Sequence, residues 1–598
     1  LSDIATEILS VATLAVALLG AIVRPMGLSE AAFALPGALI LVLTRVMSWS
    51  QVGDALRELG PTVLFLAGIL LFGHLCAEAG VFDYLVRPEE VGAWRSHRRP
   101  VLMETMASTL GLEGIEAIVF RTVGDQESLW ESLLPDEVRR LSEELGRVDG
   151  LLNDPAFFAP LVPFFDPRMG RPSTPMETYL RLMFLKFRYR LGYESLCREV
   201  SDSIMWRRFC RIPLDGAVPH PTTLMKLTTR CGATAVGGLN EALLAKAVEA
   251  RLLRTNRVRA DTTVIPANVS YPTDSGLLAK AIRRIAATGR RIQAAGGATG
   301  TTLRDRSRSA GRRAHEIGSK LRLRAAAGND EALAAVQRGT RELADLAEQA
   351  AHDAQRFLAT ANAALRRACT QARRLKESGQ PDPVAGRRRG RLARAIHDLT
   401  ELLTATRTIA RQTRQRLAGQ TPDGATRRVS LHDPDARPIA KGRLGKPVEF
   451  GYKAQLVDNE NGIVLDHDVQ HGNPPDAPRL APAIDRVSTR AGRPPRTVTA
   501  DRGYGEQNVD NALHDLGVRA VVIPRKGRPS KARQAEEHRP SFRRTVKWRT
   551  GCEGRISALK RGYGWDRTRI DSIEGARIWT GHGVLTHNLI KISALAAA

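Results

Sequence analysis

Six cysteines in 598 residues are too few and too scattered to staple a fold. Cys76, Cys197, Cys210, Cys231, Cys369 and Cys552 form no CxxC pair and belong to no Cys/His cluster. That spacing argues against a disulfide framework and against a structural zinc site. Cys552 is expected as a small buried residue rather than a nucleophile. Aromatic residues make up 5% of the chain, and Phe357 is the only one between residues 280 and 428. Negative charge is short as well: 63 Asp and Glu face 89 Lys and Arg, a formal net charge of +26. An excess on that scale suits a polyanion, and counterion release makes nucleic acid the obvious one. An Arg-rich but otherwise ordinary soluble protein gives the same count.

The imbalance is uneven. Residues 1–86 hold three Arg and seven Asp or Glu, a net of −4, so the remainder carries +30. This first segment is apolar in runs at 8–23, 31–44 and 59–77. A membrane span needs about 20 apolar residues, so 59–77 qualifies and 8–23 is marginal. Asp3 and Glu7 do not suit a secretory signal. A buried helical domain is the other reading. From residue 87 the chain turns polar and basic. Residues 87–150 read as a junction with polar helices, and Pro135-Asp136-Glu137 makes a helix start.

Residues 151–255 read as a compact helical domain. Thr174, Pro175 and Glu177 open a helix that alternates Leu and Phe with Arg and Lys. Arg188, Arg190, Arg207 and Arg208 interleave with Tyr189 and Trp206, a mixture suited to phosphate contact. For any one of them, an Arg lying along an amphipathic helix is the plain alternative. Residues 280–428 hold 32 Lys or Arg against 13 Asp or Glu. Here 331–376 and 391–417 read as long helices around a linker at 381–390. An exposed basic hairpin that grips DNA or a second subunit is one reading; a solvated, partly disordered insertion is the other. Regular strands resume at 448–457 and 463–469, joined by the turn 458–462 as a hairpin, and again at 518–523.

Three acids stand in suggestive places. Asp261 lies in a short buried strand, RVRADTTV, at 257–264. Asp501 ends a second strand, TVTAD, and runs into the Gly-rich turn Arg502-Gly503-Tyr504-Gly505. Glu553 follows Arg549 by four residues and precedes Lys560 by seven, so the three share one helix face. Three such acids can hold two Mg²⁺ ions, which activate water and stabilise a leaving oxygen in phosphoryl transfer. Asp466 and Asp468 flank His467, but strand alternation puts the two Asp side chains on one face and the imidazole on the other. Tyr271 and Asp274 fit turn and capping roles.

These acids and their surroundings resemble bacterial insertion-sequence transposases of the DDE type, close to the IS4/IS5 group. That group has Tyr-x2-Arg-x3-Glu-x6-Lys around its third acid. Arg549, Glu553 and Lys560 match, and Val546 stands where the Tyr would be. ADTTVIPANVSYPTDSGLL at 260–278, EFGYKAQLVDNENGIVLDHDVQHGNPPDA at 449–477, TADRGYG at 499–505 and THNLIKI at 586–592 resemble it too.

The resemblance implies an α/β RNase H-like catalytic domain at 256–598 with a long α-helical insertion at 280–428. It implies Asp261, Asp501 and Glu553 as catalytic and metal-binding residues holding two Mg²⁺ or Mn²⁺ ions. Arg549 and Lys560 would contact DNA near the scissile bond. The helical domain at 151–255 would bind the element's terminal inverted repeats, with target DNA as a further partner and a homo-oligomer forming on DNA.

VATLAVALLGAIVRPMGL and LRELGPTVLFLAGILLFGHLCAEAGVFDYL, within residues 1–86, resemble the start of arsenical-pump-type membrane transporters. A mobile element fused in frame behind a truncated transporter segment explains both resemblances. Leu1 in place of Met fits a rare start codon or a truncated sequence. A cytoplasmic, nucleoid-associated enzyme with possible membrane association through 1–86 is expected. An inactive DNA-binding relic and a membrane transport protein are the competing functions.

Overall fold

The computed structural model describes residues 118–121 and 140–597 almost throughout, together with 135, 137 and a few isolated earlier positions; 167–169, 328–329, 379–381 and 442–446 are not described. The apolar runs at 8–23, 31–44 and 59–77 and the helix start at 135–137 lie outside the described residues, apart from single positions. Among the described residues no helix is long and apolar enough to cross a membrane. The chain divides into two compact units, Leu1–Ile115 and Glu116–Ala598.

Among the described residues five helices lead into the sheet: α1 (Glu143–Leu152), α2 (Met176–Arg188), α3 (Tyr193–Asp202), α4 (Ile204–Phe209) and α5 (Pro221–Glu249). Ser142 caps α1 and Ser203 caps α4, each accepting a backbone N–H of the first turn. Leu, Met and Phe side chains of these helices share one hydrophobic cluster with Val258, Ala260 and Val498 of the sheet. Helical segment and sheet therefore fold around a continuous core.

The sheet has six strands. They are β1 (Arg257–Pro266), β2 (Arg437–Ala440), β3 (Val448–Asn459), β4 (Val464–Gln470), β5 (Thr497–Thr499) and β6 (Ala520–Val522). β1 lies between β3, to which it is antiparallel, and β5, to which it is parallel. β6 continues in parallel beyond β5, and β2 and β4 share the outer edge of β3. The expected hairpin is β3–β4. The strand expected to carry Asp501 stops at Thr499, because Asp501 turns the chain into a 3-10 turn, Arg502–Tyr504. Gly505 closes that turn because a Cβ there would lie 1.9 Å from the Pro524 carbonyl oxygen.

Two helices join the strands on one side, α10 (Ala477–Ala491) and α11 (Gln507–Asp515). α12 (Lys531–His538) precedes α13 (Pro540–Gly562), which buries Cys552, Ile556 and Leu559 at one-turn spacing. The last helix, α14 (Ser572–Ala596), is buried along most of its length. Its Asn588 is fully buried, accepts the Val464 N–H at 3.0 Å and donates to the Val464 carbonyl at 2.8 Å. Beside it, His587 Nε2 lies 2.9 Å from the Gly462 carbonyl. The THN segment therefore holds the β3–β4 turn through paired backbone polar groups.

Between β1 and β2 the chain leaves the sheet for a bundle of α6 (Asp274–Ala294), α7 (Ser307–Ala327), α8 (Asp330–Glu377) and α9 (Pro383–Leu417). Two helices were expected here, or a solvated insertion. The bundle has four, and alanine packs among Leu and Ile in its interior: Ala344, Ala347, Ala351, Ala354 and Ala361 of α8 are buried with Leu343 and Phe357 at helical spacing. The bundle also starts before residue 280, at the Thr273 cap of α6. Asp274 pairs there with Arg416 at 2.9 Å, while Tyr271 is exposed.

Candidate active site

β1 and β5 are parallel neighbours in a register that pairs Arg259 with Thr499. Asp261 and Asp501 each stand two residues beyond that pair. Asp261 lies within β1 and Asp501 just past the end of β5, so the parallel register brings the two acids to neighbouring positions. α13 brings the third acid. Arg549 Nη1 donates to Asp261 Oδ2 at 2.9 Å, and its Nη2 donates to Glu553 Oε1 at 2.9 Å. One guanidinium thus sits between an acid of the sheet and an acid of the helix.

A buried clamp sets where α13 lies. Arg259 on β1 makes a two-pronged pair with Asp458 on β3, at 2.7 and 2.9 Å, and donates to the Trp548 carbonyl of α13 at 2.9 Å. Asp458 is fully buried, and Arg555 of α13 approaches it at 3.5 Å. Gly551 makes room for this clamp, since a Cβ there would fall 2.1 Å from Arg259 Nη1. Arg549 and Glu553 sit on the same stretch of helix, so the clamp fixes their height over Asp261.

Burial pushes the Asp261 carboxyl up to about 6, against the opposing pull of the Thr262 amide and Arg549, with Asp501 and Glu553 adding to the rise. Burial also raises Asp501, against the Gly503 amide that donates to it at 2.8 Å, and Asp476 raises it further. Asp476, which sequence reasoning passed over, precedes α10 and pairs with Lys453 of β3 at 2.7 Å. Its only signal was its place in the segment HGNPPDA. Tyr504 is fully buried, and its hydroxyl has no hydrogen-bond partner among the described residues. Burial raises its pKa, and Asp476, Asp261 and Asp501 raise it further. Four acids thus share this end of the sheet with two paired cations, Arg549 and Lys453. Such a set of hard oxygen donors suits a divalent cation in type. As they stand, among the described residues no three His, Cys, Asp or Glu side chains are drawn together as a ready cage. Arg549 fills the space between Asp261 and Glu553.

The other candidate residues have specific partners. Lys560 Nζ donates to the Val264 carbonyl of β1 at 2.8 Å. Arg188 makes a two-pronged pair with Glu144, and Arg190 pairs with Asp566 at 2.6 Å. Arg207 donates to the carbonyls of Ser201, Pro213, Leu214 and Gly216, which pins a loop. Arg208 is exposed. Asp466 is held by Arg486 at 2.7 Å, and burial lowers the pKa of His467. Cys552 is fully buried.

Residues 133–230 match the family described as "Transposase domain (DUF772)". Residues 422–589 match "Transposase DDE domain", a span that contains Asp476, Asp501 and Glu553. Asp261 and the helical bundle fall between the two matches. An uncharacterised protein of Rhizobium meliloti, "ORF8 in nfe locus", is 26% identical over 160 residues, covering 25% of this chain and 74% of that protein. No solved structure matches. Two transposase domains in this order, the second of the DDE type, make the protein a DDE transposase: a DNA-binding enzyme of a class that uses divalent metal ions.

Proposed function

We propose that Asp261, Asp501 and Glu553 are the carboxylate triad that cleaves and transfers the DNA strands of an insertion sequence. The carrying observation is the parallel pairing of β1 with β5, which brings Asp261 of β1 near Asp501 just past β5, with Arg549 linking Asp261 to Glu553. The strand order supports an RNase H-like catalytic domain. A three-stranded antiparallel meander, β1–β3–β4, is extended on the β1 side by two parallel strands, and the bundle is inserted after β1. The quoted motifs support placement close to the IS4/IS5 group.

The three acids would hold two Mg²⁺ or Mn²⁺ ions, with Asp476 beside Asp501 as a further oxygen donor. Bound there, the metal supplies charge stabilisation on the attacking and leaving oxygens. The chain's own part is positional. The Arg259–Asp458 clamp sets α13, and Arg549 balances the acids while they hold no cation. When Arg549 leaves Asp261 and Glu553, its guanidinium is free to face phosphate, a planar donor set suited to that anion. Lys560 fixes α13 to β1. The helical segment at 151–255 is read as the part that binds the element's ends, and oligomer formation on DNA follows from the need to hold two ends. Residues 1–86 are read as a fused fragment of an arsenical-pump-type protein outside this chemistry.

The test is cleavage of DNA bearing the element's ends in the presence of Mg²⁺ or Mn²⁺. Asp501→Asn should lose at least about a thousandfold in rate, since the charge stabilisation at stake is several kcal/mol. Undiminished cleavage by that variant sinks the triad. DNA binding without cleavage by the intact chain favours the inactive relic.

A further inference from the structure

The arginines of the bundle divide into two groups. Near its base they are paired: Arg414 with Asp345 and Glu348, Arg416 with Asp274, Arg313 with Glu342 and Arg306 with Asp353. At the far end of the α8–α9 hairpin they are not. Arg366, Arg367 and Arg374 on α8 and Arg387, Arg391 and Arg394 on α9 are exposed, and among the described residues none makes an ion pair. Only two acids, Glu377 and Asp382, lie in the same stretch. Glu377 is taken by Arg373, and Asp382 caps α9 through the amides of Val384 and Ala385.

The α9 arginines lie at i, i+4 and i+7, on one face of the helix. Like charges at that spacing destabilise a helix unless an anion sits among them. Gly386 and Gly390 share one stretch of the α9 surface with Arg387, Arg391 and Arg394, next to Pro383 and the exposed Val384. Each glycine inside a helix costs about 1 kcal/mol relative to alanine. Nothing lies within 4 Å of where their Cβ atoms would be, so neither is required by packing. A bare backbone strip flanked by guanidinium groups lets a bulky anionic chain come close. Aromatic side chains, which mark protein interfaces, are missing from this end.

We propose that the tip of the α8–α9 hairpin is a contact for the phosphate backbone of duplex DNA, held at a distance from the candidate active site. The proposal rests on the transposase reading for the identity of the polyanion. α9 runs 25 residues from Arg391 to Arg416, which pairs with Asp274 just beyond the end of β1. At about 1.5 Å per residue the tip stands some 37 Å from that base, or about 11 base pairs of DNA. The bundle then serves as an arm that fixes the duplex about one helical turn from where its base joins the sheet.

The experiment compares the salt dependence of duplex binding by the full chain and by the variant Arg374→Gln, Arg387→Gln, Arg391→Gln, Arg394→Gln. Each lost phosphate contact lowers the slope of log affinity against log salt by about 0.9, so the slope should fall by about 3 to 4. Arg313→Gln, at the paired end, should leave the slope at the wild-type value. Retained helical circular dichroism shows that the exposed substitutions leave the fold intact. A wild-type slope in the quadruple variant overturns the proposal, and so does a change in self-association with no change in slope. Asp501→Asn separates this claim from the triad: it should lose cleavage and keep the full slope. A chain that cleaves nothing but shows an arm-dependent slope upholds the arm and defeats the catalytic reading.

Discussion

The acid cluster around Asp261 of β1 and the end of β5 and the tip of the α8–α9 arm are opposites in charge but alike in balance. Each holds charge that the fold leaves uncompensated. Around Asp261 four acids share two cations, and burial pushes Asp261 up to about 6. At the arm six arginines make no ion pair among the described residues. Several arginines singled out above or set in the core are matched instead. Arg181 pairs with Asp149, Arg188 with Glu144, Arg259 with Asp458 and Arg486 with Asp466. The lesson is that a basic count does not locate a polyanion surface, whereas the pairing of each cation does. Three of the four helical-domain arginines singled out from sequence are used to hold the fold together.

That comparison can be broken at its balanced side first. Arg259→Met leaves Asp458 buried beside Arg555 alone, and removing one partner of a buried pair costs about 3–5 kcal/mol. Denaturant unfolding should show a loss in that range, whereas Arg391→Gln should change stability little. Equal small effects would mean that pairing does not separate the two regions.

Acid titration sharpens the other side. A carboxyl held near 6 in the fold and near 3.8 when unfolded binds its proton more tightly in the fold. Asp261 therefore adds stability below about pH 4 that is lost as pH rises through 6. The expected loss across that window is about 3 kcal/mol, and Asp261→Asn should abolish it. Parallel stability curves for the two proteins between pH 4 and 6.5 would contradict an uncompensated acid.

Arg207 and Arg208 test the same contrast within adjacent residues. Arg207→Gln gives up carbonyl partners and should cost about 1–3 kcal/mol of stability. Arg208→Gln should leave stability unchanged and, if Arg208 meets DNA, lower the salt slope by about 1. The smallest effect is expected from removing residues 1–86: cleavage should be unchanged. A truncated chain that folds and loses cleavage would bring that segment into the enzyme.

Legibility in the sequence followed locality. The strands around Asp261, the β3–β4 hairpin and the helix of Glu553 were readable because alternation and one-turn spacing lie within a few residues. The register that sets Asp261 beside Asp501 was not, since it depends on pairing across 240 residues. Asp476 escaped notice because its nearness to Asp501 arises only when the chain returns through α10 and β5. Arg549 lies between two acids in the fold, which spacing does not reveal, because spacing gives the helix face and not the partner. The bundle's extent was missed because interior alanines give weak hydrophobic periodicity, and arginine dominates the composition around them.

The most direct measurement is Mn²⁺ binding to the full chain, followed through the free-ion paramagnetic resonance signal. The account predicts uptake by the wild type that strengthens as pH rises through about 6, where Asp261 gives up its proton. Asp501→Asn should lose that uptake. Equal Mn²⁺ binding by the wild type and Asp501→Asn at every pH would contradict the claim that these acids form the metal site.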